Sequence, residues 1–214
     1  MSGVSRRSLL GAGIIGAGGA LIKPQTSAAL EIGISPGADS RGSDAQGPNA
    51  ALFPLFHQVS RIVPDIQAAE TYFLDKVGTT PFLQLKDVRA QDTEGTHRGA
   101  PGNWTAHMYL AFHGDLNVEI IQPVSGDSIY SEWLETRGPG IQHIAYICLD
   151  LPAQRARMEA NGRPMIQSFV LPSAKQPLLT INYFDTVSTL GHIRELIAVA
   201  ANGGMDFLYK PKRL

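Results

Sequence analysis

A single cysteine, Cys148, is all the thiol chemistry that the 214-residue sequence carries. It cannot close an internal disulfide, and its place in the apolar run Ile147-Cys148-Leu149 marks it as a small packed hydrophobe. An excess of one charge is also missing. The 18 Lys and Arg against 19 Asp and Glu leave a net charge of −1, which removes the electrostatic case for nucleic acid or an anionic membrane as partner. The basic residues are scattered except for Lys210, Lys212 and Arg213, which read as a solvated tail. No phosphate-cradling glycine loop or nucleotide fingerprint is present, so the substrate need not be phosphorylated. No apolar run suits a permanent membrane span: the stretch from Gly11 to Ile22 is too short and too rich in glycine. What is present is an ordinary globular composition, 43% hydrophobic and 17% charged. The length fits one domain, or two small halves sharing a core.

Residues 1–30 stand apart. Ser5-Arg6-Arg7-Ser8-Leu9-Leu10 precedes the Gly- and Ala-rich stretch, Lys23 follows it, and Thr26, Ser27, Ala28 and Ala29 suit a signal peptidase. The segment reads as a removable address rather than as part of the fold, and its twin arginines resemble a bacterial Tat signal. That resemblance implies export to the periplasm after folding. Residues 31–50, rich in Gly, Ser, Asp, Pro and Ala, read as a flexible linker. The domain is then 51–214.

An internal repeat organises that domain. One segment runs from His57 through Val59, Ile62 and Val63 to Asp65, then through Ala68, Ala69, Tyr72 and Phe73 to Gly78. The other runs from His143 through Ile144 and Ile147 to Asp150, then through Ala153, Ala156 and Met158 to Gly162. His to Asp takes eight residues in one and seven in the other; Asp to Gly takes thirteen and twelve. Each reads as a β-branched strand, an Asp helix cap, an amphipathic helix and a Gly stop. Extended segments follow at 82–88, 107–112 and 116–122, and at 164–171, 178–185 and 193–199. Gly114-Asp115 suits a tight hairpin turn. Each half is therefore β-α-β-β-β, with modules at about 54–124 and 140–200. Between them, Asp127-Ser128 can cap a short helix that buries Ile129, Trp133 and Leu134.

Each module carries one His and one Glu at matching places: His57 and Glu119, His143 and Glu195, 62 and 52 residues apart. Taken singly, a strand-end His is usually an ordinary hydrogen-bonded side chain, and a strand Glu can face solvent. Taken together they point to a metal site. A carboxylate inside an aliphatic strand is costly unless paired or coordinated, and here that cost recurs with a matched imidazole. Two imidazoles and two carboxylates suit Zn, Ni, Co, Mn or Fe(II) rather than Ca.

These motifs resemble the vicinal oxygen chelate superfamily, which includes glyoxalase I, methylmalonyl-CoA epimerase and extradiol dioxygenases. The resemblance covers roughly residues 55–200. It rests on Phe56-His57-Gln58-Val59, Val63-Pro64-Asp65, Val118-Glu119-Ile120-Ile121-Gln122-Pro123, Gly140-Ile141-Gln142-His143-Ile144-Ala145, Tyr183-Phe184-Asp185-Thr186 and Gly191-His192-Ile193-Arg194-Glu195-Leu196. It implies an α+β fold in which two βαβββ modules form an open, cup-shaped mixed sheet. It also implies one divalent metal ion held by His57, Glu119, His143 and Glu195. Glu195, or symmetrically Glu119, would be the catalytic base. The linker Ser125-Gly126-Asp127-Ser128 is most similar to the epimerase-like branch. The extra catalytic Glu of the epimerases has no counterpart at Gly99-Ala100-Pro101-Gly102-Asn103-Trp104, where Glu94 is the nearest carboxylate, and an exported protein would rarely meet a CoA thioester.

The implied activity is that of a lyase or isomerase/epimerase acting on a small substrate with vicinal oxygens, through an enediolate or enolate. An Fe(II) extradiol-type dioxygenase and a non-enzymatic small-molecule binding protein of the same fold are the alternatives. His107, Tyr109, His113, Trp104, Gln122 and Tyr183 are candidates to line the cup. His192 is expected on the opposite strand face from Glu195. Related proteins build the site within one chain or across two, so a homodimer stays open.

Overall fold

The computed structural model describes residues 55–200. The targeting segment 1–30, the linker 31–50 and the basic residues Lys210, Lys212 and Arg213 lie outside the described residues. Strand β1 (Leu55–Ile62) leads into α1 (Ile66–Tyr72), whose first turn is capped by Asp65 accepting from the Ala68 amide. The helix then widens into a π turn, Phe73–Val77, and stops at Gly78 with φ +78°, a left-handed conformation that glycine adopts without strain. Strand β2 (Leu83–Arg89) is followed by a 3₁₀ turn (Ala90–Asp92) and two short strands, β3 (Thr96–His97) and β4 (Ala100–Pro101). Next come β5 (Thr105–His113) and β6 (Leu116–Ser125). Helix α2 (Ile129–Arg137), capped by Ser128, joins the halves. The second half holds β7 (Gly140–Ile147), α3 (Leu151–Ala160), β8 (Met165–Ser173), β9 (Gln176–Phe184), the single turn α4 (Val187–Leu190) and β10 (Ile193–Val199). The β-α-β-β-β repeat is thus observed. The short elements β3, β4 and α4 go beyond the expectation, because they are too brief to carry a periodicity.

The ten strands of the described residues form one mixed sheet in the order β2-β5-β6-β1-β7-β10-β9-β8-β3-β4. Within each module the first strand runs parallel to the last, β1 with β6 and β7 with β10, and the modules meet through the antiparallel pair β1–β7. Two first strands therefore form the centre, each flanked by a last strand. That arrangement brings the two ends of each module together.

The sheet is clothed on both faces. On the outer face α1 covers Tyr109, Val118 and Ile120, and α3 covers Cys148, Phe184 and Leu196. Cys148 is the packed hydrophobe expected, and burial pushes its thiol up to about 11. On the inner face Ile62, Met108, Ile121, Ala145, Ile181 and Ile197 pack with Trp104, Tyr130, Trp133 and Phe169. Tyr130 and Trp133 come from α2, so the inter-module helix fills part of the concave side. The turn that admits it is tight. Gly126 has φ +74°, and a Cβ there would lie 2.4 Å from the Asn103 carbonyl oxygen. Gly126→Ala is expected to destabilise the protein by about 2 kcal/mol or more, from backbone strain plus overlap. Urea unfolding checks this; a change under a few tenths would contradict it.

Candidate metal centre

Strand alternation selects which side chains reach the inner face. On β6 these are Asn117, Glu119 and Ile121; on β10, Ile193, Glu195 and Ile197. His143 reaches the same face from β7. The ligand atoms of Glu119, His143 and Glu195 lie within 4.8 Å of one another, and the three residues are 7%, 0% and 3% exposed. His143 Nε2 donates to Glu119 Oε2 at 3.2 Å and lies 3.1 Å from Glu195 Oε2. That second contact has ion-pair distance but not hydrogen-bond direction, and Glu195 Oε2 is buried without a hydrogen bond.

His143 is held from behind. Its Nδ1 donates to Gln142 Oε1 at 2.9 Å, and Gln142 Nε2 donates to the Ile129 carbonyl at 2.6 Å. The Ile129 oxygen sets which way the Gln142 amide points, so Nδ1 keeps a proton in either charge state, and Nε2 carries the second proton of the metal-free imidazolium toward the two carboxylates, the one a metal would displace. Gln167 Oε1 accepts from the Ile129 amide, and Tyr130 donates to the Tyr183 hydroxyl at 2.9 Å. The Tyr183 ring meets the His143 ring edge-on, with centroids 5.0 Å apart. Burial and the nearby Glu119 and Glu195 charges push both phenols well above their ordinary value, so they stay protonated.

This donor set fits a divalent cation. Two carboxylate oxygens and an imidazole nitrogen of fixed tautomer converge on one point, and one of those oxygens lacks any hydrogen bond. The electrostatics agree. Burial alone would lower the His143 pKa, but attraction to Glu195 and Glu119 raises it to about 9. Burial likewise pushes Glu195 up, against the pull of His143. Without metal, the folded site therefore holds protons more tightly than the unfolded chain. The His143 contribution to stability is fully present below about pH 6.5, and is lost as pH rises through about 9. Thermal unfolding of chelator-treated protein from pH 6 to pH 10 should show a falling Tm, and the part of the fall near pH 9 should be absent in His143→Gln. A Tm that climbs across that range would contradict the assignment.

His57 is not in the trio, and the reason lies in strand pairing. Glu119 stands opposite Ser60, and Glu195 stands opposite Ala145. His143 is two residues before Ala145, so its equivalent is two before Ser60, which is Gln58. The β1–β7 register shifts between Phe56 and Gln58, and again between Ser60 and Arg61, opposite Gln142. These are bulges, each inserting one unpaired residue. His57 and Gln142 are thus counterparts, as are Gln58 and His143: the His-Gln order of one module is inverted in the other. The spacing to the capping Asp agrees, since Gln58 to Asp65 and His143 to Asp150 are both seven residues. The alignment of His57 with His143 is corrected accordingly. His57 sits half-buried near Glu119, its Nε2 lacks a hydrogen bond, and burial lowers its pKa against the pull of that carboxylate.

The profile of the Glyoxalase/Bleomycin resistance protein/Dioxygenase superfamily matches residues 57–176. The chain belongs to that superfamily. Among solved structures, it is similar to a hypothetical protein from Bacillus halodurans, with TM-score 0.51 and 17% identity over 70% of this chain and 96% of the other. It is also similar to a variant of the Streptomyces coelicolor methylmalonyl-CoA epimerase in complex with 2-nitronate-propionyl-CoA, with TM-score 0.51 and 18% identity over 70% and 100%. No curated protein matches. The superfamily's name joins glyoxalases, dioxygenases and bleomycin resistance proteins, so membership establishes the cup-shaped α+β fold and leaves the reaction to the site.

Several expected lining residues of this superfamily member face elsewhere. On β5 the inner residues are Ala106, Met108 and Leu110. His107 therefore points outward, where its Nδ1 accepts from the Asp87 amide; Tyr109 packs under α1; and His113 is exposed. Gln122 is likewise outward and accepts from the Ile66 amide at the start of α1. Trp104 and Tyr183 do lie on the inner side. Glu94 sits in the loop after the 3₁₀ turn with φ +51° and is not one of the gathered carboxylates. His192 precedes β10, and its Nδ1 pairs with the Leu190 carbonyl. Sequence reasoning missed Gln58, Ser60, Asn117, Gln142 and Gln167, all of them buried. The signal for Ser60 and Asn117 was their place two residues from Ile62 and Glu119, on the same pleat face. Among the described residues no helix is long and apolar enough to cross a membrane.

Proposed function

We propose that this protein is a divalent-metal lyase or isomerase acting on a small substrate with two neighbouring oxygens. The observation that carries the reading is the buried Glu119–His143–Glu195 trio, with His143 Nε2 directed by Gln142. Glu119, His143 and Glu195 would hold the ion, which when bound would polarise the substrate oxygens as a Lewis acid. The oxygen-rich set favours the Mn end of the series Zn, Ni, Co, Mn and Fe(II). Gln142 keeps the His143 proton on Nδ1 throughout. Glu195 Oε2, buried beside His143 Nε2 and without a hydrogen bond, takes the proton from the carbon beside the chelating oxygen. Tyr183 and Tyr130, protonated and buried, exclude water from one side. A dioxygenase of the extradiol kind would call for two imidazoles and one carboxylate; the gathered trio has the opposite count. The Arg6-Arg7 segment supports a periplasmic setting for this chemistry.

Solvent deuterium exchange tests the reading. Metal-loaded protein in D₂O should exchange the carbon-bound proton of one or more small α-hydroxycarbonyl compounds or methylglyoxal hemithioacetals. Glu195→Gln should slow this by about 10²–10⁴-fold. Metal-replete protein that exchanges none of them would sink the proposal.

A further inference from the structure

The two modules are not equivalent where they meet the metal centre. Ser60 in the first module corresponds to Ala145 in the second, and Asn117 corresponds to Ile193, by the registers that place Glu119 opposite Ser60 and Glu195 opposite Ala145. The second module shows that these backbone positions accept apolar side chains, since Ala145 and Ile193 are 0% and 4% exposed. The first module nevertheless buries polar ones. Gln58, Ser60 and Asn117 are 2%, 0% and 0% exposed. Gln58 and Asn117 face each other across β1–β6, and Ser60 stands between Glu119 and His143. Gln58 Nε2, Ser60 Oγ, and both Asn117 Nδ2 and Oδ1 make no hydrogen bond among the described residues. Buried polar groups are nearly always partnered, and leaving one unpaired is destabilising. Four such atoms in one patch, beside a site built for chemistry, are explained by a partner that arrives with the ligand.

We propose that Gln58, Ser60 and Asn117 form a recognition subsite for an uncharged hydrogen-bonding group of the substrate, of the carboxamide type. This rests on the metal-centre reading and names its substrate class. Asn117 offers a donor and an acceptor side by side, which a carboxamide matches with its own acceptor and donor. A carboxylate has no hydrogen for Asn117 Oδ1, and it would be brought beside Glu119 and Glu195, whose two charges already balance a bound divalent ion. The guanidinium groups of Arg61 and Arg194, on the strands carrying the site, lie on the outer face over the rings of Phe73 and Tyr146, 5.8 and 4.5 Å from their centroids. The inner face is otherwise packed with apolar and aromatic side chains, Trp104, Tyr130, Phe169 and Tyr183 among them, so the polar end of a ligand is directed to β1 and β6.

Two probes that share a chelating end separate the possibilities. Succinic acid monohydroxamate and its distal carboxamide both present two neighbouring oxygens to a metal, and differ only in the far group. Calorimetric titration of metal-loaded protein should show the carboxamide binding about ten-fold or more tightly. Asn117→Leu and Ser60→Ala should erase that preference with metal content unchanged. In NMR spectra the side-chain amide signals of Asn117 and Gln58 should move with the carboxamide probe. Equal binding, or tighter binding of the acid, overturns the subsite with the metal centre intact. Metal analysis reports separately on the centre. If no stoichiometric ion is found, that reading fails, and unmoved Asn117 and Gln58 signals then overturn the subsite as well.

Discussion

His143→Ala is expected to abolish stoichiometric metal binding and to destabilise the metal-free protein by about 3–5 kcal/mol. Two separate effects produce this. The substitution removes the only nitrogen of the trio. It also leaves Glu119 and Glu195 facing one another, 7% and 3% exposed, without the cation between them. Below about pH 6.5, where the His143 contribution is complete, the stability loss should shrink as pH falls further, because a Glu195 that already resists ionisation then takes up a proton. Elemental analysis and denaturant unfolding measure the two effects independently. His57→Ala is the decisive contrast: it should keep its metal, because the gathered ligand atoms do not include that ring. Metal lost in His57→Ala and retained in His143→Ala would invert the assignment. Gln58→His would place an imidazole at the position related to His143, and should tighten metal binding.

Trp104→Ala should cost about 3–5 kcal/mol, at the upper end for a core truncation. The indole is fully buried, meeting Tyr130 and Phe169 edge-on with centroids 6.2 and 5.3 Å away, and its Nε1 donates to the Thr96 carbonyl. Two glycines press against it: a Cβ at Gly95 or Gly102 would lie 2.8 or 2.7 Å from the ring. The surrounding backbone is already at closest approach, so the void would not readily collapse. The same ring backs Tyr130, which hydrogen-bonds Tyr183, which packs on His143. Truncation should therefore also loosen the site. A shift in the urea midpoint equivalent to less than 1 kcal/mol would show that the cup is not organised around this residue.

The elements and the metal centre differed in how far they could be read from residues alone. Strand–helix–Gly order was legible because each signal is local: Asp65 and Asp150 cap, Gly78 and Gly162 stop, and apolar spacing changes between them. Glu119 and Glu195 were legible because a carboxylate in an aliphatic strand is expensive wherever the strand goes. The choice between His57 and Gln58 was not, because a bulge is a property of two paired strands. The eight-versus-seven mismatch from His to Asp was its only trace. His107, Tyr109 and His113 share one face of β5, and which face turns inward depends on what packs against the sheet, so alternation alone does not remove them from the lining.

By itself the sequence determined a doubled β-α-β-β-β chain and two strand carboxylates, each with an imidazole expected beside it, since periodicity, capping and the cost of burying charge act over a few residues. Tertiary structure alone decided that Gln142 orients His143, that Gln58 takes the place expected of His57, and that Ser60 and Asn117 join Glu119 on one buried face. These depend on register between strands some 60 to 85 residues apart, where a one-residue slip exchanges the inner face for the outer.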